Sequence, residues 1–257
     1  GITIAQTGTT DGSGNLLTTE AGGSSTFTVV LDAKPTANVT VSITGADSTE
    51  HSLSSSSLTF TTSNWNTAQT ITVTGVDDSI VDGDITTTLT ATASNTGGYA
   101  GTETATATLK TTDDDTAGIT IAQASTPLVT TEAGSTASFT VVLDAKPTDN
   151  VTVSITGNDS TEHQLSSSSL TFTTSNWNTA QTVTVTGVDD NLIDGDITTT
   201  LTATASNTGG YAGTETATAT LKTTDDDTAG ITIAQASTPL VTTEAGSTAS
   251  FTVVLDA

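Results

Sequence analysis

The chain contains no cysteine and no methionine, only four prolines, few aromatic residues and four lysines as its only strong cations. Without cysteine there are no disulfide staples, no thiol nucleophile and no thiolate zinc site, so any extracellular stability must come from another device. Lys34, Lys110, Lys146 and Lys222 stand against 28 acidic residues, for a formal net charge of −24. Such a balance excludes nucleic acid and anionic membrane surfaces as partners and favours divalent cations. No run is long and apolar enough for a transmembrane helix, and no signal-peptide pattern opens the chain. Glycine-rich phosphate loops and basic patches are also missing.

Threonine is plentiful, filling about a quarter of the 257 positions, far above average usage. β-Branched residues suit a pleated sheet and crowd a helical turn, so this is an all-β sequence. It is also a repetitive one. Gly1-Ile2-Thr3-Ile4-Ala5-Gln6 returns at Gly118 and at Gly230, and Glu20, Glu132 and Glu244 lie 112 residues apart. The repeats run over 1–117 and 118–229, with 230–257 an incomplete third holding the first two strands; the whole reads as an excerpt from a longer chain. The segment Thr7 to Thr19 is five residues longer than its counterpart Ala124 to Thr131, which marks a surface loop.

Period-two alternation runs through each repeat. Phe27, Val29 and Leu31 share one face; Val39, Val41 and Ile43, then Leu58 and Phe60, Ile71 and Val73, Ile85, Leu89 and Ala91, and Ala105, Ala107 and Leu109 do likewise. With the opening Ile2–Ile4 strand, this makes about seven strands separated by Gly, Asn, Asp and Ser turns, the pattern of a two-sheet antiparallel β-sandwich. Trp65 and Trp177 are read as core or rim plugs and Tyr99 and Tyr211 as loop anchors. The Thr/Ser faces are solvated sheet surfaces, with glycosylation at Asn38, Asn150 or Asn158 or adhesion as the functional alternatives.

The acids are clustered at strand ends and loops. Repeat 1 carries Glu20, Asp47, Asp77, Asp78, Asp82, Asp84 and Asp113, Asp114 and Asp115; repeat 2 carries Glu132, Asp159, Asp189, Asp190, Asp194, Asp196 and Asp225, Asp226 and Asp227. In an antiparallel sandwich the Glu20 turn, the Asp77–Asp84 loop and the Asp113 triplet meet at one pole. Like charges 5 Å apart repel by roughly 3 kcal/mol at an effective dielectric near 20, so several such pairs rival the whole stability of a domain. Carboxylates from several loops suit Ca²⁺, which takes six to eight hard oxygens in flexible geometry. Mg²⁺ prefers fewer protein ligands, and zinc lacks its usual donors with only His51 and His163 present.

Thr19-Glu20-Ala21-Gly22 before Phe-Thr-Val-Val-Leu, Val76-Asp77-Asp78 followed by Asp82, and the terminal Asp113-Asp114-Asp115 together resemble the Calx-beta module of sodium/calcium exchangers and large bacterial surface proteins. The resemblance covers both complete repeats and the opening of the third. It implies an immunoglobulin-like, Calx-beta-type sandwich with Ca²⁺ at one pole. The family's ligand pattern falls on Glu20, Asp77, Asp78, Asp82 and Asp113–Asp115, and on Glu132, Asp189, Asp190, Asp194 and Asp225–Asp227. Asp47 and Asp159 stand where the family carries another acid, Asp82 and Asp194 replace a more usual Glu, and Asp84 and Asp196 bind directly or support the ligands.

His51 beside Ser52, with Asp47 and Glu50 nearby, invites a catalytic-triad reading, but neighbours on an extended chain point to opposite sides. A surface histidine and a non-enzymatic chain are expected instead. The resulting expectation is a structural role: calcium-stiffened extender repeats of an extracellular, cell-surface adhesin, contacting calcium ions and neighbouring repeats. The alternatives are a filament subunit joined to identical chains by strand complementation, and a glycan- or cell-binding module.

Overall fold

The computed structural model describes residues 1–256. The chain forms two compact units, Gly1–Ala117 with Ala145–Thr148, and Gly118–Asp144 with the residues from Asp149 onward. Among the described residues every regular element is a β-strand.

The first unit contains β1 (Ile2–Gln6), β2 (Leu16–Thr19), β3 (Ser24–Leu31), β4 (Val39–Thr44), β5 (His51–Leu53), β6 (Ser57–Phe60), β7 (Gln69–Gly75), β8 (Ile85–Ala93) and β9 (Thr104–Thr112). They build two sheets, ordered β1-β3-β7-β5 and β2-β9-β8-β4-β6. Alternation sets which side chains turn inward: Phe27, Val29, Leu31, Ile71 and Val73 from one sheet, and Val39, Val41, Phe60, Leu89, Ala91 and Leu109 from the other, all buried. At about 25 cal/mol per Å² of apolar area removed from water, this core is the main favourable term. The sandwich is thus the all-β architecture that the alternation predicts, and Trp65 packs half-buried against its core.

Two details depart from the expectation of seven antiparallel strands. The unit has nine strand segments, because two stretches of chain switch sheets. The first switch separates β1 from β2, so the longer segment Thr7–Thr19 is not loop throughout: Leu16 is fully buried, and β2 runs parallel to β9 with Leu16 opposite Leu109. The second follows the serines after His51, which leave β5 beside β7 and carry β6 to β4. The two segments beyond the expected seven are β2 and β5, too short for a period to stand out.

The second unit repeats this plan with β10 (Ile119–Gln123), β11 (Leu128–Thr131), β12 (Thr136–Leu143), β13 (Val151–Thr156), β14 (His163–Leu165), β15 (Ser169–Phe172), β16 (Gln181–Gly187), β17 (Ile197–Ala205) and β18 (Thr216–Thr224), in sheets β10-β12-β16-β14 and β11-β18-β17-β13-β15. The last described strands, β19 (Ile231–Gln235) and β20 (Phe251–Leu255), pair only with each other, and all their residues are exposed. Tyr99 is buried and its hydroxyl donates to the Ala33 carbonyl at 2.9 Å, the loop-anchor role expected of it.

Candidate metal centre

The acidic pole is built from strand ends. β2 ends at Thr19, and the Glu20 amide continues its pairing by donating to Thr112 O at 3.1 Å, beside the Asp113 triplet. β7 ends at Gly75, where a Cβ would lie 1.9 Å from Thr19 O; at Gly187 the distance to Thr131 O is 2.0 Å. Only glycine permits that approach, and it delivers Val76-Asp77-Asp78 next to Glu20. Val76 N in turn donates to Glu50 O at 2.9 Å, and Val188 N to Glu162 O at the same distance. Beneath these groups Thr18 and Thr111 are buried, with their hydroxyls 3.1 Å apart.

Four triplets of carboxylates result, within each of which the ligand atoms lie within 4.8 Å of one another: Glu20, Asp78 and Asp115; Glu20, Glu50 and Asp82; Glu132, Glu162 and Asp194; and Glu132, Asp225 and Asp227. Glu20 and Glu132 belong to two triplets each and are 2% exposed, while Glu50 and Glu162 are 4% exposed. Glu20 Oε2, Glu50 Oε2, Asp115 Oδ2, Glu162 Oε2 and Asp227 Oδ2 are buried without a hydrogen-bond partner. A buried acceptor left unpaired costs about 1–3 kcal/mol, and more when charged.

The electrostatics follow from that crowding. Glu20 is pushed up to about 8 by burial first, then by its hydrogen bond with Glu50 and the charges of Asp113, Glu50 and Asp78. Burial and the charge of Asp82 raise Glu50; burial, Asp78 and Asp113 raise Asp82; burial, Asp113 and Asp114 raise Asp115. In the second unit burial leads again: Glu132 is raised with Asp225 and Asp190, Glu162 with Asp194 and Asp159, and Asp227 with Asp225 and Asp226. A cation coordinated by these oxygens would remove both the repulsion and the unsatisfied acceptors.

The remaining predicted ligands are engaged elsewhere or lie outside the triplets. Asp84 Oδ2 takes a 2.6 Å ion pair from Lys110, and Asp196 Oδ2 one of 2.5 Å from Lys222; these hydrogen bonds hold both carboxyls below the usual range. Asp47 and Asp159 are exposed and spend Oδ1 on the hydroxyl and amide of Thr49 and Thr161. Asp113 braces two loops, accepting from Gly83 N at 2.7 Å and from Asp115 N at 2.8 Å. Asp77, Asp114, Asp189 and Asp226 are exposed neighbours of the cluster, and Asp190 accepts from Leu192 N at 2.7 Å. Glu244, in the incomplete repeat, is exposed and joins no triplet.

Glu50 and Glu162 were not among the predicted ligands. The turn Asp47–Glu50, in which His51 N donates to Asp47 O at 2.9 Å, reverses the chain and turns the glutamate inward. Because Asp-Ser-Thr-Glu-His is identical in both repeats, repetition does not separate Asp47 from Glu50; the one available sign is that Glu50 directly precedes a strand. His51 and His163 are 1% exposed rather than on the surface, and burial holds both below the usual histidine range. His51 faces inward and Ser52 outward, as alternation requires.

No protein-family model and no curated protein matches the chain. Among solved structures, it is similar to CBD12 from CALX1.2, at 16% identity over 79% of this chain and 80% of that one, with a TM-score of 0.32. It is similar to the apo-form Calx CBD1 domain at 17% identity over 43% of this chain and 99% of that one, with a TM-score of 0.32. Domains 4 and 5 of the S-layer protein SbsC are similar at 20% identity over 53% of this chain and 65% of that one, with a TM-score of 0.29.

Proposed function

We propose that the chain is a structural, non-enzymatic array of calcium-binding β-sandwiches, acting as extender repeats of an extracellular surface adhesin. The observation that carries the reading is the pair of buried glutamates in each unit, Glu20 with Glu50 and Glu132 with Glu162, which converge with aspartates from neighbouring loops and leave oxygens of Glu20, Glu50, Asp115, Glu162 and Asp227 buried without a partner. The donor set is wholly hard oxygen, three carboxylates to a group, which suits Ca²⁺, whose six to eight oxygen ligands include carboxylates bound through both oxygens, better than Mg²⁺ or Zn²⁺. Glu20, Glu50, Asp78, Asp82 and Asp115 hold the ions in the first unit; Glu132, Glu162, Asp194, Asp225 and Asp227 hold them in the second. Bound ions join the ends of β2, β7 and β9 through ligand bonds, so the acidic pole becomes the stiffest part of each sandwich instead of the most strained. A cell-surface spacer rests on this stiffening together with the near-identity of the repeats, which suits a chain whose length matters more than any one module.

Calorimetric titration with Ca²⁺ tests the reading. Saturable binding is expected in the parent chain, a loss of roughly half the sites in Glu20→Gln, and a loss of nearly all in Glu20→Gln with Glu132→Gln. Titration heats that do not change in the double variant would sink it.

A further inference from the structure

An aspartate followed by glycine is a point where a side-chain carboxyl can react with its own backbone, because glycine has no side chain to shield the amide nitrogen that follows. The sequence has three such steps, Asp11-Gly12, Asp82-Gly83 and Asp194-Gly195. The fold treats them in two ways.

At Asp11 the carboxyl is the group held in place. Its Oδ1 accepts from Ser13 N and Asn15 N and its Oδ2 from Asn15 Nδ2, all at 2.9 Å. Among the described residues no carboxylate accepts from Gly12 N.

At the other two steps the glycine nitrogen is held instead, and by a carboxylate. Gly83 N donates to Asp113 Oδ2 at 2.7 Å, and Gly195 N donates to Asp225 Oδ2 at 2.8 Å. Each accepting aspartate is itself fixed, since Asp113 Oδ1 takes Asp115 N and Asp225 Oδ1 takes Asp227 N, both at 2.8 Å. Asp82, Gly83, Asp194 and Gly195 are all exposed. The two glycines share one backbone conformation, at φ +80° and +79°, and no atom lies within 4 Å of the position a Cβ would take on either. Each step thus has an electrophilic carboxyl, a nitrogen one bond beyond it in the chain, a base on that nitrogen and open space for a ring.

We infer that Asp82-Gly83 and Asp194-Gly195 are self-modifying steps that isomerise to isoaspartate, with Asp113 and Asp225 as general bases. Gly83 N bonds to Asp82 Cγ as its proton passes to Asp113 Oδ2, which stands within the reach required of a general base. One Cγ–O bond breaks, and that oxygen leaves as water, carrying the proton from Asp113 and one from solvent. The product is a five-membered succinimide. Water then opens it at the original main-chain carbonyl, so the backbone runs through Cβ and Cγ and the free carboxylate sits on Cα. The backbone gains one carbon, and the carboxylate loses the arm that brought it to Glu20 and Glu50. No ion takes part in the reaction; only protection by Ca²⁺, through engagement of the Asp82 and Asp194 oxygens, rests on the calcium reading.

The full chain, aged at physiological temperature and neutral pH in excess chelator, supplies the test. Electron-transfer mass spectrometry of a protease digest distinguishes isoaspartyl from aspartyl peptides, and the flanking Ser79-Ile80-Val81 and Asn191-Leu192-Ile193 tell the two repeats apart. Isoaspartate is expected to form at residues 82 and 194 severalfold faster than at residue 11, and unfolding in urea is expected to erase that difference. Asp113→Asn keeps an acceptor for Gly83 N but takes up no proton, so it should slow residue 82 severalfold and leave residue 194 at the parent rate; Asp225→Asn should do the converse. Rates at 82 and 194 no higher than at 11, a difference that survives in urea, or an unchanged rate at 82 in Asp113→Asn would each overturn the proposal. Ageing in Ca²⁺ is expected to slow both steps. Equal rates with and without Ca²⁺, with the preference over residue 11 intact, would uphold the self-modification and count against the calcium reading alone.

Discussion

At Glu20 and Glu50 two carboxyls that water would normally keep ionised lie side by side under the surface, and this makes the folded protein a better proton acceptor than the unfolded chain. Glu20 rises from 4.5 to about 8. A carboxyl raised on folding contributes stability that is complete below its unfolded value and is lost as pH climbs through the folded value. Thermal melts in excess chelator are therefore expected to show a falling Tm between pH 5 and pH 8. Glu20→Gln should flatten that fall and leave Tm in chelator equal to the parent's or higher, while abolishing part of the rise that Ca²⁺ produces. A parent Tm that rises with pH in chelator would contradict the assignment. Gly75 offers a separate test, since a Cβ there lies 1.9 Å from a carbonyl oxygen. Gly75→Ala is expected to cost about 3 kcal/mol or more, the upper end of overpacking, read as a Tm drop of roughly 10 °C or more.

Among the elements, the inward rows of β3, β4, β7, β8 and β9 were legible because each strand is long enough to repeat its period. The short segments β2 and β5 were not, although β2 holds Leu16 in the core and sets Glu20 against Asp113, whereas the Leu58–Phe60 alternation marked β6. The loop ahead of β2 behaves as the repeat comparison suggests. Its Asp11 is held locally, accepting from Ser13 N and Asn15 N at 2.9 Å, and the second unit dispenses with five of its residues. Replacing Thr7–Asn15 with the shorter segment of the second repeat is expected to leave Tm within about 3 °C of the parent, since loop-length changes of this order cost only a few tenths of a kcal/mol. A large loss of stability would show that the loop, and not only β2, supports the pole.

For the molecule as a whole, the proposed Ca²⁺ sites are tested by metal removal. A site saturated to 100 times its Kd contributes about 2.7 kcal/mol, and at about 4–8 °C per kcal/mol for a domain of this size excess chelator is expected to lower Tm by about 10 °C or more. Hydrogen exchange should quicken most at the ends of β2, β7 and β9. The parallel loss in both units follows from their shared glutamate pairs; a chelator effect confined to one unit would argue that the two clusters bind differently.

What the amino-acid order determined by itself was the all-β class, the 112-residue repeat, the faces of the long strands and the existence of an acidic pole, because these depend on periodicity and charge, which are local properties of the chain. Which acids compose the centre was decided only by the tertiary structure. Glu50 and Glu162 enter it through a reverse turn and one main-chain bond to the strand end carrying the paired aspartates, while Asp84 and Asp196 leave it for a lysine on the adjacent strand. Both outcomes depend on which strand ends lie side by side after two sheet switches, and such neighbours are set by packing across the sandwich and not by spacing along the sequence.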